Sequence, residues 1–193
     1  MFIEATQTPN PNAMKFCCQR PISPKSPVTF LSIEDCGTSS LANKLFLLDG
    51  VMVVFFGHDF ITLTKAEDCN WSHLKPTAIL TIIDHFNITS KIFDREKTTT
   101  QEANSFLTND AIEQQIIQIL EEYIRPAIAM DGGDLIYHGF QDGVVKLTLI
   151  GACRGCPSSE FTLKQGVLRT LQYNVPEVVS VMVVDLDNKN SNT

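Results

Sequence analysis

The sequence predicts an α/β protein of the α+β kind, built as two small domains, each a mixed sheet with helices. Three observations carry this expectation. Runs of β-branched and aromatic residues such as Val51 to Phe56 alternate along the chain with helical patterns such as Ile112, Ile116, Leu120 and Tyr123. A polar stretch without period, Asp94 to Glu102, separates two unlike halves near Thr100. The 193 residues suit one large or two small domains, since domains usually hold ~100–200 residues.

The first domain is expected over residues 1–90. Phe2 to Thr6 reads as a short extended piece. Thr8-Pro9-Asn10-Pro11-Asn12 follows, and two prolines in four residues fix a turn or bend. Lys15 to Cys18 and Pro27 to Phe30 read as short strands. Ser40 is placed as the cap of a helix ending at Phe46. Val51 to Phe56 suits a central strand, Gly57-His58-Asp59 a turn, and Phe60 to Thr64 a half-buried strand. Asn70 opens a helix with Pro76 near its start. A linker is expected over 91–107.

The second domain, 108–187, reads α-β-β-α-β, with a polar tail at 188–193. Asp110 and Glu113 look like a capping box. Pro126 is expected to disturb the end of the first helix. Asp131-Gly132-Gly133-Asp134 reads as a turn needed by the hairpin that follows. Leu135 to Phe140 and Val144 to Ile150 are strands joined at Gln141-Asp142-Gly143. The last helix presents Phe161, Val167, Leu168 and Leu171 on one face, and Val178 to Val184 closes the domain.

Composition excludes several classes. Hydrophobic residues make up 44% of the chain, enough for a buried core. The net charge of −7 is spread as −1 over residues 1–100 and −6 over 101–193. Neither half offers the basic stripe that a nucleic-acid partner requires. The apolar runs fall far short of the ~20 residues that span a bilayer, so no membrane role is expected. The first residues lack the marks of a secretory or transit segment, so a cytoplasmic location is expected, or the mitochondrial matrix if a transit peptide has been removed.

Six cysteines stand at 17, 18, 36, 69, 153 and 156. Without an export signal, a redox or metal reading outranks a disulfide framework. Cys153-Arg154-Gly155-Cys156 lets two thiols turn to one centre, and Pro157 suits the first position of a helix, which places Cys156 at its N-cap. The positive helix end favours thiolate. This local physics supports soft-metal binding and disulfide exchange equally. An iron–sulfur cluster or a structural zinc ion needs four ligands. The second domain offers two thiols, plus His138 before them. Two chains that each give one pair supply four equivalent ligands. Cys17, Cys18, Cys36 and Cys69 have no metal spacing and read as small buried or half-buried side chains. His58, His73, His85 and His138 have no zinc-hydrolase spacing, and no GxSxG or Walker loop occurs, which argues against an enzyme. Arg154 reads as a solvated loop residue.

The stretch Arg125-Pro126…Asp131-Gly132-Gly133-Asp134…Gly151-Ala152-Cys153-Arg154-Gly155-Cys156-Pro157-Ser158-Ser159 resembles the NifU C-terminal domain. The first half resembles the companion Nfu N-terminal domain through Thr8 to Asn12, Leu45-Phe46, Asp49-Gly50-Val51, Phe55-Phe56-Gly57, Asp59 to Thr62 and Leu74-Lys75-Pro76. The resemblance implies an iron–sulfur scaffold or carrier. It implies one [4Fe-4S] cluster per homodimer, held by Cys153 and Cys156 of both chains. The cluster would come from upstream assembly proteins and pass to apo-proteins. The N-terminal domain would recognise partners. Two rivals stay open. A thiol–disulfide oxidoreductase would use the same CxxC, although the order of elements around it is not read as a βαβ redox unit. A zinc-stabilised interaction module would keep its metal for folding.

Overall fold

The computed structural model describes residues 2–23, 26–89, 91, 92, 111–155 and 157–185, with the backbone alone at 157–160. Most of the expected linker, the polar tail, Asp110 and Cys156 lie outside the described residues. The chain divides into two compact units, residues 1–104 and 105–193.

The first unit is a five-stranded antiparallel sheet with two helices. In chain order its elements are β1 (Glu4–Gln7), β2 (Ala13–Cys17), β3 (Val28–Phe30), α1 (Ser40–Phe46), β4 (Val51–Phe56), β5 (Phe60–Lys65) and α2 (Trp71–Ile88). The strands lie in the order β1-β2-β5-β4-β3. The centre is therefore β5, which is buried on both faces: Ile61 and Leu63 enter the core while Phe60 and Thr62 are buried opposite. The half-buried strand expected there is corrected by this central position. The bend at Thr8 to Asn12 is held by side chains. The Thr8 hydroxyl lies 2.9 Å from Asn10 O and 3.0 Å from Ala13 O, Asn10 Oδ1 accepts from Asn12 N, and Trp71 Nε1 donates to Pro11 O at 3.1 Å. The cap of α1 is Ser39, one residue earlier than expected, because its side chain accepts from Ala42 N. Asn70 caps α2 as expected, accepting from Ser72 N. Pro76 sits within the second turn of that helix.

The second unit keeps the α-β-β-α-β order with one complication. A helix α3 (Ala111–Ile119) runs into a π turn (Leu120–Ile124) and then into α4 (Arg125–Met130). Ile116, Leu120, Ile124 and Ile128 form a line of buried residues along this rod, with Ile119 buried beside it. A strict four-residue step drifts around an α-helix of 3.6 residues per turn. The wider i→i+5 turn takes up an extra residue and brings the face back. Tyr123 was expected on this face and is instead 59% exposed, because Ile124 takes the inward place. Pro126 does not end the rod; the π turn precedes it and the helix continues to Met130. Glu113 accepts at its Oε1 from Tyr137 Oη at 3.1 Å and from Phe140 N at 3.0 Å, both on the strand that follows.

Strands β6 (Gly133–Gln141) and β7 (Val144–Gly151) form a hairpin whose two turn residues, Asp142 and Gly143, both have positive φ. Helix α5 (Pro157–Asn174) then crosses back, and β8 (Ser180–Val183) pairs with β7 in parallel, giving the order β6-β7-β8. On α5, Val167 and Leu171 are buried, whereas Phe161 is 70% exposed. Six residues separate Phe161 from Val167, which turns the two to different sides of the helix. Leu163 packs against the core instead.

Candidate metal-binding site

Cys153 lies just past the end of β7, in the turn Ala152–Gly155 that leads toward α5. Gly151 and Gly155 bracket this turn with φ of 68° and 67°, a backbone that L side chains adopt at a penalty. Arg154 N donates to Gly151 O at 3.2 Å, and Ala152 N donates to Gly132 O at 3.1 Å. The second bond ties the cysteine turn to the Asp131–Gly132 corner at the end of α4. Cys153 is 3% exposed and belongs to the core of the unit.

The wall of this niche is Gly133. A Cβ added there would stand 2.5 Å from Cys153 Sγ and 2.9 Å from Ile150 O. Gly133 pairs with Gly151 across the hairpin, so the absent side chain faces the turn that carries Cys153. From sequence the Asp131–Asp134 stretch reads first as a turn that hairpin geometry requires, with a role near the cysteine pair as the lesser reading. Gly132 meets the turn requirement with φ of 80°. Gly133 has no left-handed backbone; it makes room for sulfur. The next residue, Asp134, is ion-paired with Arg125 at 2.6 Å. Burial pushes the Asp134 carboxyl up from its ordinary value, while the Arg125 guanidinium pulls against that shift.

Cys156 lies outside the described residues, so its sulfur is placed only by sequence: directly before Pro157, the first residue of α5. His138 Nε2 donates to Thr148 Oγ1 at 2.8 Å, and that hydroxyl donates to Val184 O at 2.7 Å. Arg154 is half-buried rather than a solvated loop residue.

The four other cysteines sit in the first unit. Cys18 and Cys36 are buried, and burial raises their thiols to about 12 and about 11. Burial also raises the Cys17 thiol. Such thiols are poor thiolate donors at neutral pH. Cys69 is half-buried and fills the space that a side chain at Gly50 would occupy. Among the described residues, no group of three or more His, Cys, Asp or Glu side chains could hold a metal ion. No described helix is long and apolar enough to cross a membrane.

The order of elements corrects one sequence-based argument. The strand β7, the CxxC turn, α5 and the parallel strand β8 do form a βαβ unit. Element order therefore does not count against disulfide exchange. Sequence reasoning named Arg125, Gly133 and Asp134 within a motif, but did not show that Gly133 makes room for the Cys153 sulfur or that Arg125 and Asp134 form an ion pair. The signal was present in the second glycine, since a turn satisfied by Gly132 leaves Gly133 without a conformational reason.

The chain thus combines two units, with a cysteine turn between a strand and a helix of the second. Residues 3–89 match the family described as scaffold protein Nfu/NifU N terminal, and residues 116–182 match the NifU-like domain. The chain belongs to this Nfu/NifU-like family. It is 42% identical over 197 residues to the human protein named NFU1 iron-sulfur cluster scaffold homolog, mitochondrial, covering 100% of this chain and 77% of that one. It is 37% identical over 184 residues to NifU-like protein 4, mitochondrial, of Arabidopsis thaliana, covering 94% of this chain and 65% of that one. A solution structure of a NifU-like protein from Saccharomyces cerevisiae is 24% identical, with a TM-score of 0.46, and covers 50% of this chain and 87% of that one.

Proposed function

We propose that this chain is a scaffold and carrier for an iron–sulfur cluster, which is its cargo rather than a resident cofactor. Cys153 and Cys156 are the ligands. Two copies of the chain each contribute the pair, so that one [4Fe-4S] cluster is held by four thiolates between protomers. The cluster arrives from upstream assembly proteins and leaves to apo-proteins. No small substrate is turned over. The first unit serves partner recognition, and the mitochondrial names of the relatives favour the matrix as the compartment over the cytosol.

The observation that carries this reading is the niche at Cys153. A sulfur stands at the end of a core strand, against a glycine that leaves it room, in a turn framed by two left-handed glycines. Backbone bonds from Arg154 N to Gly151 O and from Ala152 N to Gly132 O hold that turn and its sulfur in place. Soft thiolate donors suit iron and sulfide. Two per chain is half a coordination shell, which suits a cargo that must be released.

The test is anaerobic reconstitution followed by iron, sulfide and zinc analysis. The expected result is a brown protein with one cluster per two chains. Cys153→Ser and Cys156→Ser should each remove the colour, and replacing Cys17, Cys18, Cys36 and Cys69 together should leave it. A colourless chain that retains zinc refutes the reading in favour of a structural metal. The βαβ order around the thiols makes disulfide exchange the second reading, and an iron-free chain that reduces insulin disulfides would establish it.

A further inference from the structure

Arg125 directly follows the π turn and opens α4. Its guanidinium is held by two carboxylates. Nε donates to Glu121 Oε1 at 2.8 Å, inside the π turn, and Nη1 donates to Asp134 Oδ1 at 2.6 Å, on β6. The Asp134 side is the sheltered one, with a side chain 17% exposed against 56% for Glu121. Asp134 Oδ1 also accepts from Leu135 N at 2.7 Å, so this carboxylate is fixed to the strand backbone. Asp134 adjoins Gly133, and alternation along a strand turns the two positions to opposite faces. One faces Arg125 and the other faces the Cys153 sulfur. Backbone bonds complete the assembly. Asp131 N and Gly132 N donate to Ile128 O and Ala129 O of α4 at 3.1 Å, and Gly132 O accepts from Ala152 N.

We infer that Arg125 is a positioning residue for the cargo site. By clamping the π turn to Asp134 it holds Gly132 and Gly133 in place, and so sets how deeply the Cys153 sulfur is seated. The inference deepens the scaffold reading and rests on it for the role of Cys153. A charge-assisted, partly buried pair anchored to backbone at one end is stronger than an exposed ion pair. Its loss frees the corner that walls the niche, and Cys153 then spends more time turned outward.

The experiment uses the full chain without iron. Cys153 is labelled with iodoacetamide and followed by peptide mass spectrometry, with Cys17 in the other unit as internal control. Arg125→Met and Asp134→Asn should each speed Cys153 labelling on the order of tenfold, the effect of losing one charge-assisted hydrogen bond on a local opening. The Cys17 rate should stay unchanged. Arg125→Lys keeps the charge but loses the two-pronged geometry, and should fall between. Should Arg125→Met fail to fold, the isosteric Asp134→Asn decides. A native Cys153 rate in the folded variants overturns the inference. So does an equal acceleration of hydrogen exchange at the buried β7 amides, which marks unfolding of the second unit as a whole. In reconstituted protein, the same variants should lose cluster absorbance to a chelator faster than the native chain. If the native chain takes up no iron, the scaffold reading fails, while the labelling rates still decide whether Arg125 seats Cys153.

Discussion

Gly133 and Gly155 are both glycines beside the cysteine turn, and they are glycines for different reasons. Gly155 has φ of 67° and nothing within 4 Å of where a Cβ would stand. Gly155→Ala should therefore strain the backbone by about 1–2 kcal/mol without displacing a neighbour. Gly133→Ala should instead push the Cys153 sulfur out of its seat and destabilise the second unit by about 1–3 kcal/mol. Urea unfolding measures both, and only Gly133→Ala should also change Cys153 labelling. The sequence showed a glycine pair but not which of the two served sulfur, because that depends on the Gly133–Gly151 register. The buried thiols of the first unit give a pH dependence. Cys18 titrates ordinarily at 9.0 and in the fold at about 12. A raised thiol favours the folded state fully below pH 9, and this contribution is lost as pH climbs toward the folded value. Stability should fall by about 1.4 kcal/mol per pH unit from this thiol above pH 9. Cys18→Ala should show a shallower fall in urea midpoint between pH 9 and 11 than the native chain.

At the level of elements, the strands, the Asp142–Gly143 hairpin and the Asn70 cap were legible from β-branched runs, turn residues and capping chemistry. Asn70→Ala should lower stability by about 1 kcal/mol in thermal unfolding, since Ser72 N then loses its acceptor. The π turn was not legible. Ile112, Ile116, Leu120 and Tyr123 follow an ordinary helical period, and only the burial of Ile124 and Ile128 shows the change of phase. Deleting Tyr123, an exposed residue, removes the extra residue of that turn. The i→i+4 ladder then closes with Ile124 and Ile128 still inward, so stability by equilibrium unfolding should stay within about 1 kcal/mol of the native value. The parallel pairing of β8 was equally hidden, because strand direction across a helix leaves no mark on the pattern of either strand.

At the level of the whole molecule, the apolar residues sort into separate cores, one built on the five-stranded sheet and one on β6-β7-β8. Each core is complete in chain-local material. A piece spanning residues 108–187 should accordingly unfold cooperatively by itself and take up iron and sulfide as the full chain does. A piece spanning 1–90 should fold and stay colourless. Circular dichroism melts and iron analysis of the two pieces check this. The unequal charge of the two halves was readable from composition. The placement of each core was readable from hydrophobic pattern, while the seating of a single sulfur required the register of a hairpin.

The parallel partner of β7 also dictates an order of events during synthesis. The β6-β7 hairpin joins neighbours through a two-residue turn and needs nothing downstream. Strand β8 returns only after the whole of α5 has been made, so its pairing closes a long loop and comes late. The cysteine turn therefore leaves the ribosome before the last strand has joined the sheet. The core to which Cys153 belongs is completed only then, when Val178 and Val181 take their places in it.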